Sequence, residues 1–466
     1  MKILLIQPNP RKVIPYTCSS VPLGLLYISA ALRQADCREI MLVDARVWNL
    51  SHKEISKRLK SFSPDIAGIS GLSTEAPEVH ELAGLVKKTD ARCKVVIGGA
   101  YATTSPEAVI EDPHIDFAVT GEGEKTICEL VNALELALPV SGIDGLAFKN
   151  GGKPAVNPRL TTIDELDSIP YPAWDLIDAE KYFGLWTRHS ENPFPASGRI
   201  LPVFTSRGCP FGCIYCHNIF GKKLRLRSAG NVVREIELLA GRYGAGEIEI
   251  VDDIFNLDLV RAKRICDEII NRGIKIKLSF PNGLRIDGMD EELLVKLKKA
   301  GTHLIFYAIE SASPKMQKQI GKNIDLEKAA RIVRQTVRQG IVTGGFFMLG
   351  FPDETKEEML ETIRFARELP FDLASFFYVT PRPNTPMQAL LKKKGVDLEK
   401  VQLRDYFRFS SNFSAVPDEE LQRLIKRANS EFYRRPAQLL RLWKALPNKK
   451  YILKVLLRAF IMRRYA

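Results

Sequence analysis

The chain has 466 residues, 45% of them hydrophobic, which is enough to bury the cores of two or three domains and excludes a disordered protein. It contains no uncharged apolar run of about 18 residues, so we expect no membrane span. The short apolar stretch at Met1 predicts a buried strand rather than a signal peptide, and we therefore expect a cytoplasmic protein. The net charge is +13, but residues 432–466 contain ten Lys and Arg and no Asp or Glu, which leaves only +3 for the rest.

Residues 1–140 predict an α/β domain in which short apolar strands alternate with helices such as Leu23–Gln34 and Glu78–Lys88. The predicted strands are Lys2–Gln7, Glu39–Asp44, Asp65–Ser70, Lys94–Gly98 and Phe117–Thr120. This order favours a parallel, doubly wound, Rossmann-like sheet, which binds ligands beyond the carboxyl ends of its strands. The polar and Gly-rich strand exits contain the candidate binding residues Ser70, Ser73, Thr74, Gly98, Gly99, Gly121 and Glu122.

Residues 141–197 are interpreted as an ordered linker, with a predicted hairpin at Gly145–Val156 and a Pro-rich, aromatic stretch at Ile169–Trp174. Residues 198–390 predict six further βα units, which favour an incomplete (β/α)6 barrel. Its predicted strands are Ile200–Thr205, Glu247–Val251, Lys275–Phe280, His303–Ile309, Thr343–Leu349 and Leu373–Val379. Residues 391–466 predict a mostly helical, basic region.

Three of the eight cysteines, Cys209, Cys213 and Cys216, follow the first strand of the predicted barrel with the spacing Cys-x3-Cys-x2-Cys. Three thiolates on one Gly-rich loop can hold three irons of a 4Fe–4S cluster, which leaves the fourth iron open. Zinc normally requires four ligands, and His217 directly abuts Cys216, where it is poorly placed to be the fourth. The scattered cysteines are interpreted as small buried hydrophobic residues: Cys18, Cys37, Cys93, Cys128 and Cys266.

This loop, with the aromatic Tyr215 just before its last cysteine, resembles that of the radical S-adenosylmethionine (SAM) superfamily. The resemblance covers residues 200–390. It implies that the amino and carboxylate groups of SAM chelate the fourth iron. It also implies reductive cleavage of SAM to methionine and a 5′-deoxyadenosyl radical, with the electron supplied by a donor such as flavodoxin or ferredoxin.

The resemblance extends to the other strand exits of the predicted barrel and implies a set of SAM-binding residues there. These candidates are Asp252, Asp253, Asn282, Arg285, Glu310 and Leu349. Asp252 and Asp253 stand where the family contacts the SAM ammonium, and Ala308-Ile309-Glu310-Ser311 is similar to the family's Gly-Ile-Glu-Ser. Two alternatives stay open, since Asp252 can cap a helix and Arg285 can pair with Asp287 on the surface.

The N-terminal domain resembles the cobalamin-binding domain of one large radical SAM class. The resemblance rests on Val21-Pro22-Leu23-Gly24 and on the Gly-rich exits, and it implies that Gly24 also belongs to the cofactor site. Other cobalamin domains carry Asp-x-His-x-x-Gly after the first strand, whereas here that strand exits as Gln7-Pro8-Asn9-Pro10. We therefore expect cobalt without a protein histidine, and the alternative is a sheet that binds phosphate or substrate.

Together these patterns predict a cobalamin-dependent C-methyltransferase that acts on a small-molecule or lipid-like substrate, in the biosynthesis of a lipid or secondary metabolite. A cyclase, oxidase or rearrangement enzyme of the same class is the alternative, and a cluster-bearing sensor without turnover is a third. The basic stretch Tyr451–Arg464 predicts an amphipathic helix that either lies on the inner membrane face or packs on the barrel. We expect no nucleic-acid partner, because no recognition module accompanies the charge.

Overall fold

The computed structural model describes residues 1–10, 20–183, 192–216, 219–398, 401 and 408–449. The chain forms two compact units, Met1–Ser190 and Glu191–Ala466. The predicted helix at residues 451–464, together with Cys18 and His217, lies outside the described residues. Within the described part, no helix is both long enough and apolar enough to cross a membrane.

The first unit contains a seven-stranded sheet with the order β2-β1-β3-β4-β5-β6-β7. Its strands are β1 (Ile3–Gln7), β2 (Ile40–Asp44), β3 (Ile66–Ser70), β4 (Lys94–Gly98), β5 (Phe117–Val119), β6 (Leu146–Asn150) and β7 (Lys153–Val156). The first five strands are parallel, as predicted. The strand order reverses between β1 and β3, and ligands bind beside such a reversal in open α/β sheets.

The predicted hairpin differs from expectation, because it belongs to this sheet rather than to a separate linker. β6 pairs antiparallel with β5, with Phe117 opposite Phe148 and Val119 opposite Leu146. Both hairpin side chains are buried in the core that β5 also lines. The alternating pattern of the hairpin predicts two strands, but it does not indicate with which other strand of the protein they pair.

Alternating side chains of the parallel strands face two separate cores, which is what makes the sheet doubly wound. On β1, Leu4 and Ile6 join one core, whereas Ile3 and Leu5 join the other. The helices are α1 (Leu23–Gln34), α2 (His52–Phe62), α3 (Ala76–Thr89), α4 (Gly99–Thr104), α5 (Pro106–Glu111), α6 (Gly123–Glu135) and α7 (Ala179–Tyr182). Residues of α2 and α3 line the first core, and residues of α1 and α6 line the second.

The second unit contains a six-stranded, fully parallel sheet, which confirms the incomplete barrel. After β8 (Ile200–Val203), a short antiparallel pair is formed by β9 (Ser206–Arg207) and β10 (Arg225–Leu226). The remaining strands are β11 (Glu247–Ile250), β12 (Lys277–Leu284), β13 (Thr302–Glu310), β14 (Val342–Leu349) and β15 (Leu373–Tyr378). The order β15-β14-β13-β12-β11-β8 leaves β8 and β15 as the two edges.

Helices follow the barrel strands and continue into the C-terminal region. They are α8 (Ala229–Arg242), α9 (Leu259–Asn271), α10 (Glu291–Lys299), α11 (Pro314–Gln319), α12 (Leu326–Arg338), α13 (Lys356–Glu368), α14 (Pro386–Lys393), α15 (Asp418–Tyr433) and α16 (Pro436–Ala445). Side-chain caps begin several of them, including Asp258 before α9 and Thr355 before α13. β12 runs four residues beyond the predicted end at Phe280, through an irregularity in its pairing with β13.

Candidate active site

The three cysteines lie on the loop between β9 and β10, directly after the first strand of the barrel. At Gly208 the backbone has φ +87°, and a Cβ there would stand 2.2 Å from the carbonyl oxygen of Lys223. Only glycine fits both the left-handed conformation and the close approach. The Cys209 amide then donates to the Gly221 carbonyl at 3.2 Å, so the loop folds back on itself.

The second half of this loop, between Cys213 and Cys216, is held by backbone bonds to two distant segments. The Ile214 amide donates to the Ile320 carbonyl at 3.0 Å, and the Met387 amide donates to the Ile214 carbonyl at 2.9 Å. These contacts are made entirely by protein groups. The position of the loop is therefore fixed by the barrel around it.

The three thiols fit an iron–sulfur cluster better than a zinc ion. None of the three forms a disulfide within the described residues, and Cys216 is exposed while the other two are half-buried. Four sulfur ligands about 2.3 Å from zinc would stand only about 3.8 Å apart. Among the described residues, His52, Glu78 and Glu81 have ligand atoms that all lie within 4.8 Å of one another. The three cysteines do not form such a group. Since the three sulfur atoms do not all lie within 4.8 Å of one another, they are not gathered as the ligands of one zinc ion would be.

Asp252, one of the predicted SAM contacts, anchors the start of the cysteine loop. Its buried carboxylate accepts hydrogen bonds from the Thr205 amide at 2.5 Å, the Thr205 hydroxyl at 2.5 Å and the Ser206 hydroxyl at 2.7 Å. The alternative of a helix cap is wrong, because Asp258 caps α9. Asp252 thus acts as a positioning residue, and its direct contact with SAM stays a prediction.

Asp253 stands next to the first cysteine and is exposed. It accepts a hydrogen bond from the Gly208 amide, and partial desolvation of the carboxyl group by the protein atoms around it, followed by the charge of Asp252, raises its pKa. Its negative charge also raises the pKa of Cys209, although burial of that thiol is the larger cause. Asp253 therefore has the position that a contact with a cationic ligand of the cluster requires.

Glu310 ends β13 in a strained conformation, with φ +69° at a residue that is not glycine. Its carboxylate lies 3.2 Å from the Lys322 ammonium, and the side chains of both are only 10% exposed. Lys322 also donates to the Tyr215 hydroxyl at 3.4 Å, which joins the strand end to the cysteine loop. Lys322 could not be predicted from the sequence, because no residue pattern indicates that a lysine after the short helix α11 lies against the end of β13.

Arg285 pairs with Asp287 at 2.8 Å, as the alternative reading expected, but the pair is not on the surface because the arginine side chain is 11% exposed. Its guanidinium carbon lies 3.6 Å from the centre of the Phe211 ring, between the first two cysteines. It also donates to the Lys322 carbonyl at 2.9 Å. Arg285 therefore braces the loop, and its predicted contact with SAM stays a prediction.

Asn282 and Leu349 occupy the exits of β12 and β14. The exposed Asn282 amide donates to the Val251 carbonyl at 3.0 Å, which links two neighbouring strand ends. Leu349 is fully buried in the barrel, and its predicted contact with SAM stays a prediction. Beyond it, Glu354, which sequence analysis missed, accepts hydrogen bonds from the Gly350 and Phe351 amides at 2.7 and 3.0 Å.

In the first unit, polar groups gather where β3 and β4 end. Ser70 is paired with Gly98, and at Gly99, with φ +83°, a Cβ would stand 2.9 Å from the Ser70 hydroxyl. The Ser73 hydroxyl contacts that of Thr104 at 3.1 Å, and Thr74 is half-buried. These hydroxyls and backbone groups can bind the amide groups that surround a corrin ring.

Three further observations show that this edge has room and unused polar capacity. A Cβ added at Gly24 or at Gly98 would meet nothing within 4 Å. The buried Oδ1 atom of Asn9, at the end of β1, has no hydrogen-bond partner within the described residues. An open cradle with an orphaned acceptor fits an amide-rich cofactor such as cobalamin.

Gly121 and Glu122, also predicted at this edge, hold the chain that follows the hairpin. Glu122 is buried and forms an ion pair with Arg159 at 2.8 Å. A Cβ at Gly121, where φ is +67°, would collide with the same arginine. Their predicted cofactor contact stays a prediction, and the structure adds this packing role.

Each histidine described in this unit engages a carboxylate. His52 contacts Glu78 at 2.9 Å, and His80 and His114 contact Asp112 at 2.5 and 3.0 Å. The end of β1 carries Asn9 where other cobalamin domains place their histidine. The absence of a histidine ligand for cobalt stays a prediction.

Two family models match the chain, the radical SAM superfamily over residues 203–366 and the B12-binding domain over residues 17–131. An uncharacterised methyltransferase of Pyrococcus horikoshii is 34% identical over 95% of this chain and 94% of its own. This chain belongs to the radical SAM superfamily, in the class with an N-terminal B12-binding domain. It is therefore a radical SAM enzyme whose cofactors are a 4Fe–4S cluster, SAM and cobalamin.

Two further relatives and one solved structure are similar to this chain. Cytidylyl-2-hydroxyethylphosphonate methyltransferase of Streptomyces wedmorensis is 30% identical over 92% of this chain and 90% of its own. An anaerobic magnesium-protoporphyrin IX monomethyl ester cyclase of Cereibacter sphaeroides is 28% identical over 88% of this chain and 66% of its own. The structure of the radical SAM methyltransferase TsrM from Kitasatospora setae, with cobalamin and a [4Fe-4S] cluster bound, shares the fold with a TM-score of 0.73 at 21% identity, over 94% of this chain and 90% of TsrM.

Proposed function

We propose that this radical SAM enzyme is a cobalamin-dependent C-methyltransferase that acts on an unactivated carbon of a small-molecule or lipid-like substrate, in lipid or secondary-metabolite biosynthesis. The observation that carries the proposal is the alignment with two methyltransferases over at least 90% of both chains. When bound, the cluster with SAM supplies a hydrogen-abstracting 5′-deoxyadenosyl radical, and cobalamin supplies a transferable methyl group.

In this proposal the three cysteines and the two aspartates at the barrel mouth have distinct roles. Cys209, Cys213 and Cys216 hold three irons, and the exposed carboxylate of Asp253 binds the SAM ammonium. Asp252 keeps the beginning of the loop in place through Thr205 and Ser206. The electron for SAM cleavage comes from outside the chain, and we propose flavodoxin or ferredoxin as its donor.

The experiment measures the products of SAM from the anaerobically reconstituted holoenzyme, supplied with dithionite and hydroxocobalamin. Methyl transfer leaves S-adenosylhomocysteine, whereas radical formation leaves 5′-deoxyadenosine, so a methyltransferase forms both. The variant C209A/C213A/C216A is expected to lose 5′-deoxyadenosine, while C128A, which removes a half-buried thiol outside the site, keeps it. If the wild-type enzyme forms no S-adenosylhomocysteine, the proposed methyltransferase function is wrong.

The similarity to the cyclase of Cereibacter sphaeroides supports a second candidate function. A cyclase consumes SAM only to generate the radical, and it therefore forms 5′-deoxyadenosine without S-adenosylhomocysteine. The ratio of the two products distinguishes the candidates before the substrate is known. A sensor without turnover would form neither product.

A further inference from the structure

The last described helix, α16, is fixed to the barrel through one side. The Gln438 amide donates to the Asp372 carbonyl at 2.6 Å, and the Arg441 guanidinium donates to the buried Asp372 carboxylate at 2.8 Å. Leu442 is buried against the same barrel end. These contacts determine which side of the helix faces outward.

The outward side of α16 carries three large apolar side chains. Leu439, Leu440 and Trp443 are 38%, 55% and 45% exposed, and they lie within about one helical turn of one another. The Lys449 ammonium lies 4.1 Å from the centre of the Trp443 ring. An apolar patch edged by a cation and a tryptophan is the composition of helices that lie at a membrane interface.

The charged side chains of the sequence stretch that contains this patch are all cations. Residues 432–466 contain ten Lys and Arg and no Asp or Glu, and five of these cations lie beyond residue 449. A dense positive charge of this kind is complementary to anionic lipid headgroups.

We propose that the outward side of α16 docks the enzyme on an anionic lipid surface. A second copy of the chain fits less well, because a symmetric contact through residues 432–449 would oppose two stretches that each carry five cations and no acidic residue. A nucleic acid would use the cations but would give the two leucines no apolar partner. A bilayer interface accommodates both features.

The test is co-sedimentation of the full-length holoenzyme with phosphatidylcholine vesicles, with and without 40% phosphatidylglycerol. We expect at least tenfold stronger partitioning onto the anionic vesicles, weakened by 0.5 M salt. The variant L439S/L440S/W443S is expected to lose at least tenfold of this binding. The matched control is L257S/V260S, which removes two apolar side chains that are 38% and 79% exposed elsewhere on the same unit.

Three results would overturn the proposal. These are negligible vesicle binding by the wild-type enzyme, equal binding by the triple variant, and a wild-type dimer in sedimentation velocity that the triple variant converts to monomers. The last result would make the patch an interface between copies. Circular dichroism spectra and the midpoint of thermal unfolding show whether the variants fold. We expect both to match the wild type, because the replaced side chains face outward.

Discussion

The guanidinium of Arg285 lies over the ring of Phe211, with its carbon 3.6 Å from the ring centre. A residue at the exit of β12 thereby clamps the loop that carries the three cysteines. The pair with Asp287 and the bond to the Lys322 carbonyl keep the guanidinium in this position. Loop geometry in the barrel thus depends on a contact between a cation and an aromatic face.

Replacing Phe211 by leucine is expected to loosen the cysteine loop. A desolvated cation–π contact contributes about 1–2 kcal/mol, and the leucine keeps the apolar volume but not the ring face. We expect iron loss to a chelator to become several times faster in F211L. We expect iron loss from R285Q to be faster by a similar factor. The double variant F211L/R285Q should lose iron no faster than either single variant. Additive effects would show that the two residues act separately.

The buried pair of Lys322 and Glu310 makes a strong prediction about stability. Removing one partner leaves an uncompensated buried charge, which costs about 3–5 kcal/mol. K322M and E310Q are each expected to lower the midpoint of thermal unfolding by several degrees. The double variant should lose less than the sum of the two, because neither charge then remains alone. A fully additive double variant would contradict a direct interaction.

Glu354 predicts a pH dependence of stability. Burial raises its pKa to about 8, against 4.5 in the unfolded chain, so the folded state keeps a proton that the unfolded state releases. The stability that this difference contributes is complete below pH 4.5 and is lost as the pH rises toward 8. Thermal midpoints of E354Q should fall less between pH 6 and pH 8 than those of wild type.

The control for that experiment is E357Q, which neutralises an exposed glutamate at the start of α13. It should follow the wild-type profile, since its side chain is exposed and lies outside the buried contact that Glu354 makes. Parallel profiles for E354Q and wild type would mean that Glu354 is ionised in the folded protein.

Alanine at Gly98 and alanine at the neighbouring Gly99 are expected to affect different properties, cobalamin retention and thermal stability respectively. In G99A the new Cβ combines a left-handed backbone with contacts of 2.9 Å to the Ser70 hydroxyl and 3.0 Å to the Gly71 carbonyl, so we expect a lower thermal midpoint. In G98A the methyl group enters open space, so stability should persist while cobalamin retention through gel filtration falls. Full retention of cobalamin by G98A would show that the cofactor does not approach this backbone.

Much of the fold follows from local patterns. Strand β13 was predicted at His303–Ile309 and lies at Thr302–Glu310, because a continuous apolar run between polar turns identifies a buried strand. The cysteine loop was equally accessible, since all three ligand positions fall within eight residues. Contacts between segments far apart in the sequence were not accessible in this way.

Two residues show why the rest could not be predicted. The burial of Leu349 depends on which side of β14 faces the barrel core, and a strand buried on both sides carries no alternation to reveal this. Lys322 meets Glu310 only because α11 turns the chain back toward β13. In both cases the decisive information is the packing of whole elements and not the residue itself.

The backbone bonds of Ile214 have a consequence for the order of assembly in the cell. They join the cysteine loop to Ile320 and to Met387, so the loop acquires its final form only when the chain has been synthesised through α14. Domains fold as units during synthesis. Delivery of iron and sulfide should therefore follow the emergence of nearly the whole barrel from the ribosome, and nascent chains that end before Met387 should accept metal poorly.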